Sequence, residues 1–160
     1  MRAAVVYESS FGNTRAVAAA VARGLGASLH SVDARPPDLG ALDLLVVGGP
    51  THVHGLSSAR SRKAASDQGA AAGHGIGVRG FVDRMPETPR LAVAAFDTRI
   101  RKPAALTGSA ARGLVKRLRR HGCTLAAPPE SFFVLGTEGP LAPGELERAV
   151  DWGRSLAANR

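Results

Sequence analysis

Short apolar runs alternate with helical patterns along this chain, and the alternation restricts the folds open to it. Runs of strand length lie at residues 3–7, 28–32, 44–47, 91–96 and 131–135. Helical patterns follow or separate these runs, at residues 14–24, 58–72, 78–85, 109–121 and 143–158. Parallel strands need long crossover connections, usually helices, so this order predicts an α/β fold with a parallel sheet covered by helices on both faces.

The length and the apolar content are those of one domain. With 160 residues and 44% hydrophobic residues, the chain can bury a full core, and we expect residues 1–160 to form a single domain. The 57–80 segment is rich in Ser, Ala, Gly and Arg and is too long for an ordinary connection. We interpret it as an irregular loop, a lid or a dimer element, and the sequence leaves the oligomeric state open.

Apolar and cysteine content indicate the compartment. The sequence has no apolar run of about 18 residues, and Met1-Arg2 leads directly into the first strand, so we expect neither a membrane span nor a signal peptide. That pattern favours the cytoplasm. The single cysteine, Cys123, excludes an internal disulfide and a cysteine-based zinc site, and we interpret it as a small apolar residue at the head of a strand.

The net charge of +8 raises the question of nucleic-acid binding. The basic residues are scattered, however, and aromatic residues that would stack on bases make up only 4% of the chain, so we expect no nucleic-acid partner. The densest basic stripe falls at helical spacing, opposite an apolar face. Its members are Arg112, Lys116, Arg119 and Arg120. We interpret this stripe as a solvated helix face that is also suited to an acidic protein partner.

A turn rich in hydroxyl groups follows the first strand and opens the first helix. Its residues are Ser9-Ser10-Phe11-Gly12-Asn13-Thr14. Such a turn directs unpaired backbone N–H groups and the positive end of the helix dipole toward one spot, which favours a phosphate. The turn contains no Lys or Arg, so a monophosphate suits it better than a triphosphate. The alternative interpretation is a simple helix start capped by Asn13.

Two further polar loops are predicted to meet this turn. In a five-stranded doubly wound sheet of order 2-1-3-4-5, ligands bind beyond the carboxyl ends of the strands, where the order reverses. Three loops fall at that edge, at residues 8–13, 48–55 and 97–100. Their common position favours the phosphate cradle over the simple cap.

Other motifs are weaker. Residues 75–80 match the G-x-G-x-x-G pattern, but no strand-like run precedes them, so we reject a dinucleotide fingerprint. A receiver domain needs acidic residues after the first strand and a phosphate-accepting Asp after the third, whereas Gly48-Gly49-Pro50 stands at the latter place. Hydrolase chemistry is disfavoured because the chain has no G-x-S-x-G elbow.

The chain resembles the flavodoxin-like family. The 9–14 turn is similar to the family's phosphate loop, Val46-Val47-Gly48-Gly49-Pro50-Thr51-His52 is similar to its first flavin-flanking loop, and Phe96-Asp97-Thr98-Arg99 takes the place of the second. The resemblance implies a three-layer sandwich and bound FMN, without the long insertion that some members carry in the last strand. It places the phosphate on Ser9, Ser10, Phe11, Gly12, Asn13 and Thr14. It places the ring between Pro50, Thr51, His52, Val53, His54 and Gly55 on one side and Asp97, Thr98 and Arg99 on the other.

Two departures from the family pattern shape the functional hypotheses. The flavin-flanking loops offer His52 and His54 where the family usually stacks an aromatic residue, and no carboxylate or third ligand makes these histidines a metal site. Arg99, Arg101 and Lys102 replace the family's acidic surround. One hypothesis is an FMN-dependent redox protein, either an electron carrier or a small reductase or oxidase, with an acidic redox partner. The other is a binding module without FMN that recognises a phosphate-bearing ligand or a protein partner.

Overall fold

A computed structural model describes residues 1–51, 55–67 and 75–159 of the chain. The strands are β1 (Ala3–Tyr7), β2 (Ser28–Ser31), β3 (Leu44–Pro50), β4 (Ala92–Ile100), β5 (Thr124–Leu125) and β6 (Glu130–Val134). The helices are α1 (Asn13–Leu25), α2 (Ala59–Asp67), α3 (Gly77–Asp83), α4 (Ala104–Thr107), α5 (Ala110–Arg120) and α6 (Glu145–Ala158), with one 3-10 turn at Leu39–Ala41. The predicted helix at 58–72 is therefore observed as far as Asp67, and residues 68–72 lie outside the described part.

The sheet confirms the predicted parallel order. Its strands run β2-β1-β3-β4-β5, and β6 also pairs in parallel with β4. The fifth position, predicted as one strand at 131–135, is filled by two short strands that pair with opposite ends of β4. Pro128 and Pro129 lie between them, and because proline has no N–H to donate, the ladder is interrupted there.

Two apolar layers cover the sheet. On one face, Val17 and Val21 of α1 and Leu156 of α6 pack against alternate residues of β1, β3 and β4. On the other, α3 and α5 cover the remaining residues of those strands. Residues alternate between the faces because successive side chains in a strand point to opposite sides. This arrangement confirms the three-layer α/β sandwich.

Helices α1 and α6 approach each other closely at two glycines. A Cβ atom on Gly24 would lie 2.1 Å from the backbone oxygen of Val150, and one on Gly153 would lie 2.4 Å from that of Val21. Neither position has room for a side chain. Beside this contact Trp152 meets Phe96 and Phe132 edge-on, with ring centroids 6.2 and 6.0 Å away, so the tryptophan has a packing role.

Several element boundaries differ from the sequence prediction. Strands β3 and β4 continue through Pro50 and Ile100, so Gly48, Gly49, Pro50 and Asp97 to Ile100, predicted as loop residues, are paired strand residues. The apolar runs end earlier because glycine and polar residues follow, although Gly48, Gly49, Asp97 and Thr98 are still buried and the backbone pairing goes on. Helix α6 begins at Glu145 rather than at 143, since Gly144 has a φ of 83° and cannot be part of the helix. The short helix α4 was not predicted.

Other expectations are matched locally. The basic residues of the α5 stripe are exposed, and Leu114, Val115 and Leu118 on its opposite face are buried. Cys123 is buried and directly precedes β5. None of the helices in the described ranges is long and apolar enough to cross a membrane.

An ion pair between the buried Glu145 and the partly exposed Arg148 joins α6 to β6. Glu145 accepts hydrogen bonds from the Phe133 N–H (2.7 Å) and from Arg148 (Nη2–Oε2 2.7 Å), and Arg148 also bonds Glu130 (2.5 Å) and the Ser131 carbonyl. Burial by itself raises the pKa of Glu145, but the hydrogen bonds from Arg148 and Phe133 and the charge of Arg148 outweigh it, so the pKa is lowered. The bond to Glu145 likewise raises the pKa of Arg148.

We expect Glu145→Gln to reduce the free energy of unfolding at pH 7 by about 2 kcal/mol, because the ion pair is lost. Because the pKa is lowered in the folded protein, ionised Glu145 stabilises the fold at pH values above its ordinary pKa of about 4.5. This contribution is lost as the pH falls below that value toward the lowered pKa. The difference between wild type and variant should therefore shrink in urea titrations from pH 7 to 3. Glu147→Gln, on the exposed side of α6, is the control. A difference that stays constant with pH would contradict the assignment.

Candidate functional site

The turn after β1 is organised by the hydroxyl of Ser9. Ser9 Oγ accepts hydrogen bonds from the N–H groups of Gly12 (3.1 Å) and Arg15 (3.3 Å), and Gly12 turns the chain into α1 with a φ of 92°. The predicted cap, Asn13, is instead the first helical residue, and its Nδ2 donates to the Glu138 carbonyl (3.0 Å). Capping by Asn13 is therefore wrong. The N-cap residue is Gly12, and the Ser9 hydroxyl from the preceding turn accepts from the free N–H of Arg15 in the first turn of the helix.

The same turn has backbone donors to spare. Four backbone N–H groups of the turn make no hydrogen bond to any described residue. They belong to Ser10, Phe11, Asn13 and Thr14. Ser9 Oγ accepts twice, so its own hydroxyl hydrogen remains available. Five donors at a helix start are suited to the oxygens of a phosphate.

Thr14 joins this turn to the end of β4. Its hydroxyl lies 2.7 Å from that of Thr98, and both residues are buried. Thr98 points toward the α1 face because it alternates with Asp97 and Arg99 along the strand. The structure thus brings the 9–14 turn into contact with residues 97–100 at the end of β4.

Asp97 is the centre of the hydrogen bonds between β3, β4 and α5. Its carboxylate is fully buried, and Oδ2 accepts from Thr51 Oγ1 (3.1 Å), Ser109 Oγ (2.6 Å) and the Ala111 N–H (3.0 Å). Thr51 in turn accepts from the Ala110 N–H (3.0 Å) and donates its own N–H to the Thr98 carbonyl (2.9 Å). Asp97 Oδ1 has no hydrogen-bond partner among the described residues, and Arg99 Nε is 4.0 Å away. The carboxylate therefore fixes Thr51, which follows β3, against the end of β4.

Arg99 lies along the sheet edge, with a side chain only 13% exposed. Its Nε donates to Ser131 Oγ (3.1 Å) and its Nη1 donates to the Lys102 carbonyl (2.7 Å). The guanidinium also lies 5.2 Å from the centroid of the Phe133 ring, which Arg101 meets at 4.7 Å. These contacts hold a positive charge at the end of β4.

Three predicted site residues, His52, Val53 and His54, lie outside the described residues. On either side of them, Pro50 ends β3 and Gly55 precedes the buried Ser57. Pro50 pairs with Thr98 in the sheet register. Of the described residues predicted to flank a ring, Pro50 and Thr51 lie at the end of β3, and Asp97, Thr98 and Arg99 lie toward the end of the neighbouring β4, whereas Gly55 lies in no strand.

Glu8 and Arg62 were not predicted as site residues. Glu8 is buried directly beneath the turn, where it accepts from Ser57 Oγ (2.7 Å to each carboxylate oxygen) and from the Val78 N–H (2.8 Å). Arg62 Nη1 donates to the same Ser57 hydroxyl (3.2 Å). The position of Glu8 after a strand was a usable signal, whereas Arg62 comes from a segment without a clear pattern.

We expect Asp97→Ala to lower the free energy of unfolding by at least about 2 kcal/mol, because two hydroxyl groups and the Ala111 N–H lose their buried acceptor. Urea denaturation measures the loss, and faster amide exchange at Ala110 and Ala111 locates it. Asp151→Ala removes an ion pair from the surface of α6 and should change stability by less than about 0.5 kcal/mol. Equal effects of the two variants would refute the role given to Asp97.

Known proteins were compared with this chain by sequence and by structure. No family model matches the chain, and no curated protein matches it by sequence. Solved structures do match over nearly the whole length. A flavodoxin from the domain Archaea has a TM-score of 0.67 at 21% identity, covering 99% of this chain and 97% of its own. A WrbA-like flavodoxin from Agrobacterium tumefaciens has a TM-score of 0.63 at 24% identity, covering 98% and 95%.

Oxidised flavodoxin 2 from Bacillus cereus matches over 100% of both chains, with a TM-score of 0.69 at 16% identity. At these identities the likeness concerns the fold. It agrees with the strand order and the two helical layers. The chain therefore has the flavodoxin-like fold.

Proposed function

We propose that this protein binds FMN and acts as a redox protein, either an electron carrier or a small reductase or oxidase. The observation that carries the proposal is the set of unpaired backbone N–H groups in the 9–14 turn, at the point where the strand order reverses. A phosphate monoester suits these donors, and the turn itself contains no cation. The flavodoxin-like fold supports the choice of FMN among phosphate esters.

The described residues fit the phosphate end of FMN. The phosphate would be held by Ser9 and the free N–H groups of Ser10, Phe11, Asn13 and Thr14. The ring would lie against the other predicted residues, which are Pro50, Thr51, His52, Val53, His54, Gly55, Thr98 and Arg99. Asp97 is fully buried and would act from beneath by holding Thr51 and α5 in place. When bound, FMN supplies the capacity to take up and release electrons.

The visible spectrum of the purified protein, before and after addition of FMN, tests the proposal directly. Fluorescence titration with FMN and with riboflavin then tests the phosphate site. We expect FMN to bind far more tightly than riboflavin, which lacks the phosphate. Ser9→Ala should weaken FMN by about tenfold, the equivalent of one charge-assisted hydrogen bond, and leave riboflavin nearly unchanged. Equal losses for both flavins would show that the turn does not hold the phosphate.

Arg99 is expected to raise the reduction potential of bound FMN. Reduction adds negative charge to the ring, and a nearby guanidinium that is largely shielded from solvent stabilises that charge. We expect Arg99→Gln to lower the potential by tens of millivolts, where about 59 mV corresponds to a tenfold change in a one-electron equilibrium. Spectroelectrochemical titration at low and high salt measures it.

The shift should persist at high salt because the side chain is shielded. Arg154→Gln, in an exposed ion pair of α6, is the control and should leave the potential unchanged. An unchanged potential in Arg99→Gln would refute the role of Arg99. If Arg99 raises the reduction potential of FMN bound to the wild-type protein, a role as reductase or oxidase is favoured over a role as a low-potential electron carrier.

The second candidate is a phosphate-binding module without FMN. The observation that favours it is that the described residues flanking the ring position, Pro50, Thr51, Gly55 and Asp97 to Arg99, include no aromatic side chain to stack on a flavin. A colourless protein that binds phosphate esters but not FMN would establish this alternative. For either function, we propose that the exposed Arg101, Lys102, Arg112 and Lys116 favour an acidic protein partner.

A further inference from the structure

A cleft adjoins the 9–14 turn on the side of β2 and α3. Its walls include Glu8, Ser9 and Ser10 from the end of β1, Asp33 from the chain after β2, Arg62 from α2, and Gly75. Ser9 and Ser10 are therefore the part of the 9–14 turn that borders this cleft. Arg62, from a different part of the chain, brings a positive charge to the wall of the same cleft.

The guanidinium of Arg62 is anchored but not neutralised. Nη1 donates to Ser57 Oγ (3.2 Å) and Nη2 lies 3.4 Å from the Gly75 carbonyl. Among the described residues no carboxylate lies within 4.0 Å of it, and the side chain is partly buried. A guanidinium has five N–H donors, so several remain for a ligand. Partial burial without an ion pair is a costly state for a cation, which a bound anion would relieve.

Glu8 fixes where this guanidinium lies. The Ser57 hydroxyl donates to the Glu8 carboxylate and accepts from Arg62, so the three side chains form a short chain of hydrogen bonds. Gly77 leaves the space for it, because a Cβ atom there would lie 2.5 Å from Arg62 Nη1 and 3.0 Å from Glu8 Oε2. Arg62 is thus held beside the turn before any ligand binds.

We propose that Arg62 is a ligand of the phosphate group that the 9–14 turn binds, and that it makes the site select phosphate esters over their dephosphorylated forms. This inference rests on the proposed function. A phosphate dianion on the turn would meet neutral donors together with the negative charges of Glu8 and Asp33. Arg62 offsets those charges from the same cleft, and its planar fork matches two phosphate oxygens.

The test compares four proteins, namely wild type, Arg62→Gln, Arg62→Lys and Arg60→Gln. Arg60 is an exposed arginine of the same helix and is the matched control for charge. Affinities for FMN and riboflavin are measured at low and high salt. We expect Arg62→Gln to weaken FMN binding by about tenfold or more and to change riboflavin binding by less than about twofold. The FMN affinity of Arg62→Lys should lie between those of the wild type and Arg62→Gln. Arg60→Gln should match the wild type, and the salt dependence of FMN binding should decrease in Arg62→Gln.

Losses that are equal for FMN and riboflavin, or that Arg60→Gln shares, would overturn the proposal, because they indicate a structural or general electrostatic effect. Amide spectra in titrations with inorganic phosphate separate this inference from the proposed function. If no flavin binds but phosphate shifts the amides of residues 9–14 in the wild type and not in Arg62→Gln, the proposed FMN function fails and the role of Arg62 stands. If phosphate shifts the amides equally in both proteins, or binds neither, the role of Arg62 is refuted.

Discussion

The carboxylate of Asp97 lies where β4 leaves the apolar core, and one of its oxygens gathers hydrogen bonds from Thr51, Ser109 and the first turn of α5. A buried carboxylate is stable only when donors replace the water it has lost. The donors here come from two segments, Thr51 after β3 and residues 109–111 at the start of α5, so satisfying the charge fixes both segments against β4. The register of β3 with β4 through Pro50 and Thr98 continues this arrangement to the edge of the sheet.

Two other buried carboxylates in the described part of the chain also accept hydrogen bonds from neighbouring elements. Glu8 accepts from Ser57 and from the Val78 N–H in the first turn of α3, and Glu145 accepts from Arg148 and the Phe133 N–H. Each buried carboxylate joins a helix to a strand end. In α3 and α5 the acceptor meets the positive end of a helix, which favours its charge. Hydrogen bonds to buried carboxylates therefore fix the polar edge of the sheet above the apolar core.

The turn after β1 differs from its neighbours in how its donors are used. At Thr51 and Asp97 nearly every polar group has a partner in the protein, whereas four backbone N–H groups of the 9–14 turn have none among the described residues. Unpaired donors are tolerated there because the turn is partly open to water. This difference is the reason for proposing the turn as the anion site, with the neighbouring strand ends as its support.

The amino-acid sequence by itself determined the order of the elements, the parallel sheet and the turn that begins α1. These follow from apolar periodicity and from local turn chemistry, which neighbouring residues in the chain decide. The sequence did not determine where β3 and β4 end, because pairing beyond the apolar runs depends on the strand alongside. The split at the fifth position likewise shows only in the pairing with β4. Nor did it reveal that Gly12 rather than Asn13 is the N-cap of α1, or that Glu8, Ser57 and Arg62 meet beneath the turn. Glu8 and Ser57 are 49 positions apart in the chain, and only the tertiary structure brings such a charge and its donor within hydrogen-bonding distance.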